Sequence, residues 1–316
     1  MQKEPAVDLD CEKIALGIVE KENQSSARKY DIGSLSAIPR PKFKEDVADA
    51  VSVYSLRGIP PNGDVILIIS NRNYPETVDD AIKKSSLAST LLDPSVAKNV
   101  LASISDGYSE GARYVFWPKK TPVSQNKYIR KLQTIATQKS VAMWISDVGR
   151  TSKRRIEAAD DINDYFLEPL NYLLAEAKMP DHIKSIARNS IEKIEIKNFH
   201  PDVVVQHGDF WHGNILLEKN WPLSLSSFYV IDWAGMVPNG YPFIDMLRYS
   251  LSVNTKPSRF RKYIEKYCAA CNVKPEHILF YVNSYSGFLG LNRGKFPFER
   301  YLQSIELLHR EAESLV

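Results

Sequence analysis

Three polar side chains in the C-terminal half of the sequence are of types that accept protons and bind metal ions. Asp209 ends a His-Gly-Asp sequence that directly follows the apolar run DVVVQ, and Asn214 comes next with four residues between them. Asp232 ends a second apolar run, YVID. A carboxylate can accept the proton of a hydroxyl group, and Mg²⁺ prefers hard oxygen ligands such as those of Asn and Asp. The pattern predicts Asp209 as a catalytic base and Asn214 and Asp232 as magnesium ligands.

The spacing of these residues explains how they could act together. The loop between Asp209 and Asn214 is long enough to turn back, so that both side chains point into one cleft. Loops that catalyse phosphoryl transfer have this arrangement, in which the Asp receives the proton of the accepting hydroxyl and the Asn binds Mg²⁺. Each piece alone has an ordinary structural explanation, since such sequences also form turns and helix caps. Their conjunction favours the catalytic interpretation.

Two hairpins and a helix are predicted upstream of these residues. AVSVYSLRGI and VILIIS flank the turn sequence PPNGD, a pattern that is typical of two paired strands. The apolar spacing after Pro75 predicts a helix, and NVLASIS and ARYVFW predict a second hairpin with its turn at Asp106-Gly107. Residues 50–117 therefore indicate a small, mainly β lobe, whereas residues 1–40 lack a strong periodicity and remain poorly placed.

From residue 118 onward the sequence predicts a helical lobe, so the expected domains are 1–117 and 118–316. Two strands, VVVQ and SFYVIDW, lead into the His-Gly-Asp sequence and into Asp232, with a turn-rich insert at residues 220–222 between them. The expected fold class is α+β, with a small mainly β N-terminal lobe and a larger helical C-terminal lobe. The predicted helices cover residues 122–145, 153–178, 181–197, 244–252, 257–271, 275–289 and 297–314.

Composition argues against several other classes of protein. The 316 residues include 41 Lys and Arg against 38 Asp and Glu, and no cluster of basic and aromatic residues indicates nucleic-acid binding. The longest apolar runs are too short to span a bilayer, and the N-terminus lacks the apolar segment of a secretory signal. Three cysteines argue against a disulfide framework, so we expect a cytoplasmic protein with Cys268 and Cys271 packed in a helix. No feature indicates an oligomeric state.

The segment around the three polar residues resembles a known family. HGDFWHGNILL followed by VIDWAGMVPNGYPFIDML is similar to the pattern of the aminoglycoside phosphotransferase and choline kinase family, which includes a later Gly-x-Pro and Asp, here Gly240, Pro242 and Asp245. The similarity is specific over about residues 200–250 and consistent with the layout of residues 50–316. It implies a bilobal, protein-kinase-like fold and an enzyme that uses ATP and Mg²⁺ to phosphorylate a hydroxyl of a small molecule, such as a sugar, an amino-sugar or a similar polyol.

The resemblance also implies roles for single residues. Asp209 is the implied base, and Asn214 and Asp232 are the implied ligands of Mg²⁺. His207 and Asp245 are implied to be structural supports of the catalytic loop.

The small lobe departs from the family pattern at the nucleotide site. The backbone of Phe116 and Trp117 is implied to meet the adenine, but VILII, the strand expected to have a phosphate-binding lysine, has none. Arg72, just past that strand, is the first candidate to replace this lysine, and Lys83 or Lys84 on the following helix is the fallback. No glycine-rich loop is recognisable in this region.

Two alternatives to a small-molecule kinase remain open. The missing lysine and glycine loop favour a pseudokinase-like binding or scaffold module, and the acceptor could instead be a protein or a saccharide polymer. His212 is interpreted as a bystander or a substrate contact. One predicted helix has four acids on a single face, which we interpret as a solvated surface in preference to a wall for a cationic substrate: Glu157, Asp161, Asp164 and Glu168.

Overall fold

The chain folds into a β-rich N-terminal lobe and a helical C-terminal lobe, as seen in a computed structural model that describes residues 9–39, 51–196, 199–218 and 227–315. This arrangement confirms the predicted fold class. The N-terminal lobe contains a five-stranded antiparallel sheet with the strand order β1-β2-β3-β5-β4. Its elements are α1 (Leu9–Ser25), β1 (Tyr30–Ala37), β2 (Ser52–Gly58), β3 (Val65–Ile69), α2 (Glu76–Leu91), α3 (Pro94–Ala97), β4 (Ser105–Ser109) and β5 (Ala112–Pro118).

The alternation of apolar residues along the strands explains why the sheet is covered on both faces. Tyr54, Leu67 and Phe116 are cross-strand partners, and they form one buried cluster with Ile14 and Ile18 of α1. Successive side chains of a strand point to opposite faces. The other face of the sheet therefore receives α2, which is attached to β5.

The sequence predicted the β2–β3 hairpin and α2 but placed the second hairpin wrongly. The turn between β4 and β5 lies at Glu110 and Gly111, which both have positive φ, as the tight turns that close two-stranded hairpins require. Gly107 instead lies within β4, where a Cβ would come 2.5 Å from the hydroxyl of Tyr114. NVLASIS, expected as a strand, contributes only its last residue, Ser105, to β4 and an isolated bridge from Val100. Helix α1 and strand β1 were not predicted at all.

The C-terminal lobe consists mainly of helices around short strands, and most of the predicted helices are present. The exception is the segment 153–178, which is divided into β7, two short helices and a π-helical turn at Asn163–Leu167. The helices are α4 (Lys127–Ser152), α5 (Ala159–Ile162), α6 (Glu168–Ala175), α7 (Asp181–Glu195), α8 (Ile244–Val253), α9 (Pro257–Cys271), α10 (Ile278–Leu291) and α11 (Phe298–Glu313).

Two small sheets place the polar residues that the sequence singled out. The strand orders are β10-β9-β6 and β11-β8-β7, and both sheets are antiparallel. The turn-rich insert at residues 220–222 lies outside the described residues. The strands are β6 (Thr121–Pro122), β7 (Arg154–Arg155), β8 (Asp202–Gln206), β9 (Ile215–Leu217), β10 (Phe228–Val230) and β11 (Val237–Gly240).

The segment after α2 is attached to the C-terminal lobe rather than to the sheet of the N-terminal lobe. Trp144 of α4 donates a hydrogen bond from its indole nitrogen to the carbonyl of Val96, at 3.0 Å. The side-chain amide of Asn99 donates to the carbonyl of Phe228 at 2.7 Å, and the amide of Val230 donates to the carbonyl of Asn99 at 2.7 Å. These bonds join α3 and the residues that follow it to β10. The lobe boundary near residue 117 therefore stays a prediction.

The cysteines of the CxxC sequence are packed in a helix, as expected. Cys268 and Cys271 are buried in α9, and burial raises the pKa of the Cys268 thiol to about 11. Within the described ranges, no three His, Cys, Asp or Glu side chains are grouped so that they could hold a metal ion. None of the described helices is long and apolar enough to cross a membrane.

A buried histidine in α11 makes the stability of the fold sensitive to acid. His309 is 1% exposed, and neither of its ring nitrogens has a hydrogen-bond partner among the described residues. Burial lowers its pKa to about 4, and the neighbouring His182 acts in the same direction. The folded state therefore holds the neutral imidazole, whereas an unfolded histidine binds a proton below about pH 6.5. Protonation favours the unfolded state, so this contribution to stability is lost as the pH falls from 6.5 towards 4.

We predict that His309→Leu reduces the acid sensitivity of unfolding. Between pH 7 and pH 4.5, the wild type should lose about 2–3 kcal/mol more free energy of unfolding than the variant. Urea titrations at a series of pH values measure this difference. His200→Gln, at an exposed histidine, is the matched control and should lose as much as the wild type. Parallel curves for the wild type and His309→Leu would contradict the prediction.

Candidate active site

The loop that contains Asp209 is anchored by a carboxylate from the first turn of α8. Asp245 accepts the backbone amide of His207 on Oδ2 at 2.7 Å and that of Gly208 on Oδ1 at 3.2 Å. Burial raises the pKa of Asp245. The electrostatic interaction with His207 and the hydrogen bonds from the two backbone amides act against this shift. Both oxygens are thus used to fix two successive peptide groups. The structure places Asp245 where the resemblance implies a support for the loop.

His207 ties the same loop to the strand that leads to Asp232. Its Nδ1 accepts the backbone amide of Asp209 at 3.3 Å, and its Nε2 lies 2.9 Å from the carbonyl oxygen of Ile231. Because Nδ1 is an acceptor, the proton must lie on Nε2, which therefore donates to Ile231. The imidazole is 1% exposed and packs against the indole of Trp233, with 4.7 Å between the ring centroids. One side chain thus fixes the Asp209 loop and the segment before Asp232 relative to each other.

The loop requires a glycine at position 208. Gly208 has a φ of +82°, and a Cβ there would lie 2.1 Å from the carbonyl oxygen of Gly235. This contact brings the turn after Asp232 directly against the His-Gly-Asp sequence. Any larger residue would have to push the two segments apart.

Asn214 and Asp232 lie beside each other at one end of the β9–β10 hairpin. The strands pair Ile215 with Val230, and the amide of Ile231 donates to the carbonyl of Asn214 at 3.0 Å. Asn214 donates its side-chain NH₂ to the carbonyl of Asp209 at 2.8 Å, which leaves its Oδ1 as a ligand atom. Asp232 is exposed and has a left-handed backbone with a φ of +63°. An amide oxygen and an exposed carboxylate at one hairpin end fit the donor set that Mg²⁺ prefers.

Arg248 is a site residue that the sequence did not reveal. Its Nη2 forms an ion pair with Oδ1 of Asp209, and its Nη1 donates to the hydroxyl of Tyr285 at 3.3 Å. Tyr285 in turn donates to the carbonyl of Gly208 at 3.3 Å. Arg248 lies three residues after Asp245 on α8, and residues at this spacing share a helix face. That spacing is the only sequence signal that could have indicated Arg248.

A cleft of about 520 Å³ opens beside Asp209. The carboxylate of Asp209 is 50% exposed, so it remains accessible to a ligand despite its ion pair with Arg248. His212 lies at the edge of this region: its amide donates to the Ser252 hydroxyl at 3.0 Å, and burial together with Arg130 lowers its pKa. The cleft is lined by residues of the loop, α8 and α11, among them Asp209, Trp211, Arg248, Leu251, Ser304 and Leu307.

The two candidate phosphate-binding cations of the N-terminal lobe, Arg72 and Lys84, lie in different parts of the structure. Arg72 forms an ion pair of 2.7 Å with Glu110, in the β4–β5 turn at the end of β5 opposite to Trp117. Lys84 of α2 instead donates from Nζ to the carbonyl of Ala234, two residues after Asp232. The role of Arg72 in nucleotide binding stays a prediction. The geometry favours Lys84, the fallback candidate, because its amine reaches the turn beside the expected magnesium ligands.

The two residues expected at the adenine differ in exposure. Phe116 is fully buried, stacks on Tyr30 at 5.4 Å, and uses its carbonyl to accept the amide of Ile104 at 2.7 Å. Trp117 is partly exposed and pairs with Ile66 on the face of the sheet that receives α2. A contact between the nucleotide and Phe116 therefore stays a prediction. Trp117 is better placed, because its side chain is partly exposed.

The connection after β5 is joined to the hairpin that presents Asn214. Lys120 donates to both carboxylate oxygens of Glu218, at 2.9 and 3.0 Å, and the hydroxyl of Tyr229 donates to the same carboxylate at 2.8 Å. Thr121 then pairs with Leu217 of β9. The chain segment after β5 is thus fixed beside β9, as an edge strand of the same sheet.

Comparison with known proteins gives a likeness of fold. No protein-family model matches the sequence, and no curated protein matches it. A thermostable mutant of an aminoglycoside phosphotransferase, APH(4)-Ia, in its apo form, is similar over 95% of this chain and 98% of that chain, with 11% identity and a TM-score of 0.49. A putative fructosamine-3-kinase from Haemophilus somnus is similar over 96% of this chain and 97% of that chain, with 12% identity and a TM-score of 0.49.

A choline/ethanolamine kinase family protein from Mesorhizobium loti is also similar, over 89% of this chain and 87% of that chain, with 13% identity and a TM-score of 0.45. The three structures have names from the group of phosphotransferases and kinases that the sequence resembles. Because their TM-scores are below 0.5, the activity proposed below rests on the side chains of the cleft and not on this likeness.

We predict that Gly208→Ala destabilises the protein far more than Gly111→Ala. The two glycines have nearly the same φ, +82° and +81°, but a Cβ at Gly111 meets no atom within 4 Å. Gly111→Ala should cost about 1–2 kcal/mol for the left-handed backbone alone. Gly208→Ala should cost about 3–5 kcal/mol, because overpacking against Gly235 is added. Urea unfolding measures both values, and equal losses would show that the contact with Gly235 is not a constraint.

Proposed function

We propose that this protein transfers the terminal phosphoryl group of ATP, with Mg²⁺, to a hydroxyl group of a small molecule. The observation that supports this function is one constellation. The backbone of the Asp209 loop is fixed by Asp245 and His207, and it presents an accessible carboxylate next to the oxygen ligands of Asn214 and Asp232. Phosphoryl transfer depends mainly on positioning and charge neutralisation, which is what a rigid loop and a metal site provide.

Each residue of the constellation has a distinct role in the proposed reaction. Asp209 orients the accepting hydroxyl and receives its proton, and its side chain is 50% exposed and therefore accessible for this. Asn214 and Asp232 would hold Mg²⁺, which binds phosphate oxygens and neutralises their charge. His207 and Asp245 keep these groups at fixed distances without touching the substrate.

The phosphates also need a cation from the N-terminal lobe. Strand β3 has no lysine, and Arg72 is already paired with Glu110. Lys84 is the better candidate because its amine lies at the turn that follows Asp232. A lysine ammonium has three donors, so a bond to Ala234 leaves two for phosphate oxygens.

A second candidate function is that of a binding or scaffold module that binds a ligand and catalyses no reaction. The connection between β1 and β2, which includes residues 38–51, has no glycine in its sequence, and β3 has no lysine. These departures concern the nucleotide site and leave the groups around Asp209 intact. Nucleotide binding therefore separates the two functions.

The proposed function is tested by calorimetry with ATP and Mg²⁺, followed by measurement of ADP release with candidate polyol acceptors. The wild type should bind the nucleotide only when Mg²⁺ is present. Asp209→Asn should bind it nearly as well but release no ADP, because the loop and metal ligands remain. Asp232→Ala should lose the part of binding that depends on Mg²⁺. A wild type that binds no nucleotide at millimolar concentrations would support the binding module instead.

We predict that Lys84→Met weakens the binding of MgATP by about 1.5–3 kcal/mol, the scale of a lost charge-assisted hydrogen bond. Lys83→Met is the matched control, because Lys83 is the exposed neighbour on the same helix, and it should have little effect. Arg72→Ala tests the first candidate from the sequence under the same conditions. If Arg72→Ala weakens binding and Lys84→Met does not, the assignment of Lys84 is wrong and that of Arg72 is right.

A further inference from the structure

A guanidinium group lies at the floor of the cleft, next to the proposed base. Arg248 is 25% exposed, and its two hydrogen bonds, to Asp209 and Tyr285, use two of the five donors of a guanidinium. Tyr285 itself donates to the carbonyl of Gly208, so the position of Arg248 is fixed by α10 as well as by the loop. The remaining donors are available to a ligand in the cleft, which Arg248 lines.

Orientation of the base alone does not account for an arginine at this position. A neutral donor such as Asn would also orient the carboxylate of Asp209, through a weaker hydrogen bond. A cation in contact with Asp209 stabilises its charged form and so weakens its tendency to accept a proton. This disadvantage is offset when an anion of the ligand also binds the guanidinium. The positive charge of Arg248 is then shared between Asp209 and the ligand.

The charges of the cleft also disfavour a cationic acceptor. Among the described lining residues, Asp209 and Arg248 are the charged ones, and they are paired with each other. The acidic segment at residues 157–168, which is not one continuous helix, does not contribute to the lining. A polycationic ligand would therefore meet a cation at the floor and one carboxylate that is already paired.

The walls of the cleft are apolar. Trp211, Leu251 and Leu307 line it and are 42%, 36% and 49% exposed. Their exposed faces can cover the carbon skeleton of a ligand, and a volume of about 520 Å³ is in the range of small-molecule sites.

From this geometry we propose that the acceptor is an anionic hydroxy compound: a molecule with an apolar body, a hydroxyl for Asp209, and a carboxylate or phosphate group that binds Arg248. The proposal rests on the proposed function, because it concerns the acceptor of that same site. It narrows the acceptor from polyols in general to hydroxy acids and phosphate esters, and it excludes amino-sugars.

The test uses four probes that share a 4-(hydroxymethyl)phenyl framework and differ in the charge of the para substituent. They are 4-(hydroxymethyl)benzoate, 4-(hydroxymethyl)phenyl phosphate, 4-(hydroxymethyl)benzamide and 4-(hydroxymethyl)benzylamine. Their dissociation constants are measured by ligand-observed NMR with the full chain, with and without MgATP. The benzoate or the phosphate should bind about 10-fold or more tightly than the amine, with the amide between them, as expected for a charge-assisted hydrogen bond. Comparison of the benzoate with the phosphate shows which anion the site prefers.

Variants of Arg248 separate ligand recognition from a purely structural role. Arg248→Met should reverse the order of affinity, so that the amine binds best, because Asp209 is then unpaired. Arg248→Lys should keep a reduced preference for the anions. Arg57→Met, at an exposed arginine of β2, is the matched control and should leave all four affinities unchanged. Thermal unfolding of each variant identifies any loss of folding, and Arg248→Lys keeps the test valid if Arg248→Met does not fold.

Three results would overturn the proposal. They are a wild-type preference for the amine, the same preference for anions in Arg248→Met as in the wild type, and no binding of any probe at millimolar concentrations. Nucleotide binding is measured on the same samples. It distinguishes failure of the anion-site proposal from failure of the proposed phosphoryl transfer. Anion binding through Arg248 without MgATP binding would refute phosphoryl transfer and leave the anion site standing. MgATP binding without a preference for anions would refute the anion site alone.

Discussion

The carboxylate of Asp245 is the interaction on which the rest of the site depends. It is a buried charge whose two oxygens accept successive amides of the His207-Gly208 segment, and a buried charge is tolerable only when its hydrogen bonds are satisfied. These two hydrogen bonds hold the loop, in which Gly208 has a left-handed backbone, in contact with the turn after Asp232. Without this anchor, the loop would lose the two hydrogen bonds that hold Gly208 in place beside Gly235.

The core of the candidate site could be predicted from sequence because its members are close along the chain. Asp209 and Asn214 belong to one loop, and Asp232 ends the strand that pairs with the strand after that loop. Short apolar runs bounded by polar residues therefore indicated both the elements and the polar side chains at their ends, whose catalytic and metal-binding roles stay predictions. The fold class was predictable for the same reason: the β2–β3 hairpin and most helices have local patterns of turns and periodicity.

Other features were not predictable because they arise only when distant segments pack. Arg248 meets Asp209 across 39 positions in the sequence, and Lys84 meets Ala234 across 150, with no motif at either basic residue. Gly107 is interpreted from the sequence as a turn glycine. In the structure it lies within β4, and the absence of a side chain there leaves room for Tyr114. Helix α1 covers the sheet with Ile14 and Ile18, although its segment has too weak a periodicity to be recognised.

The attachment of α2 determines how the site would respond to relative motion of the lobes. Ala88 and Leu92, in and just after the last turn of α2, belong to the core of the C-terminal lobe, and α3 is bonded to it through Val96. A lysine on β3 would travel with the sheet when the cleft opened. Lys84, on α2, instead reaches the carbonyl of Ala234 in the turn after Asp232, while Asp79 near the start of the same helix is paired with Arg113 of β5. Helix α2 is therefore bonded to both lobes, and the proposed cation would stay beside the expected metal ligands for as long as its hydrogen bond to Ala234 holds.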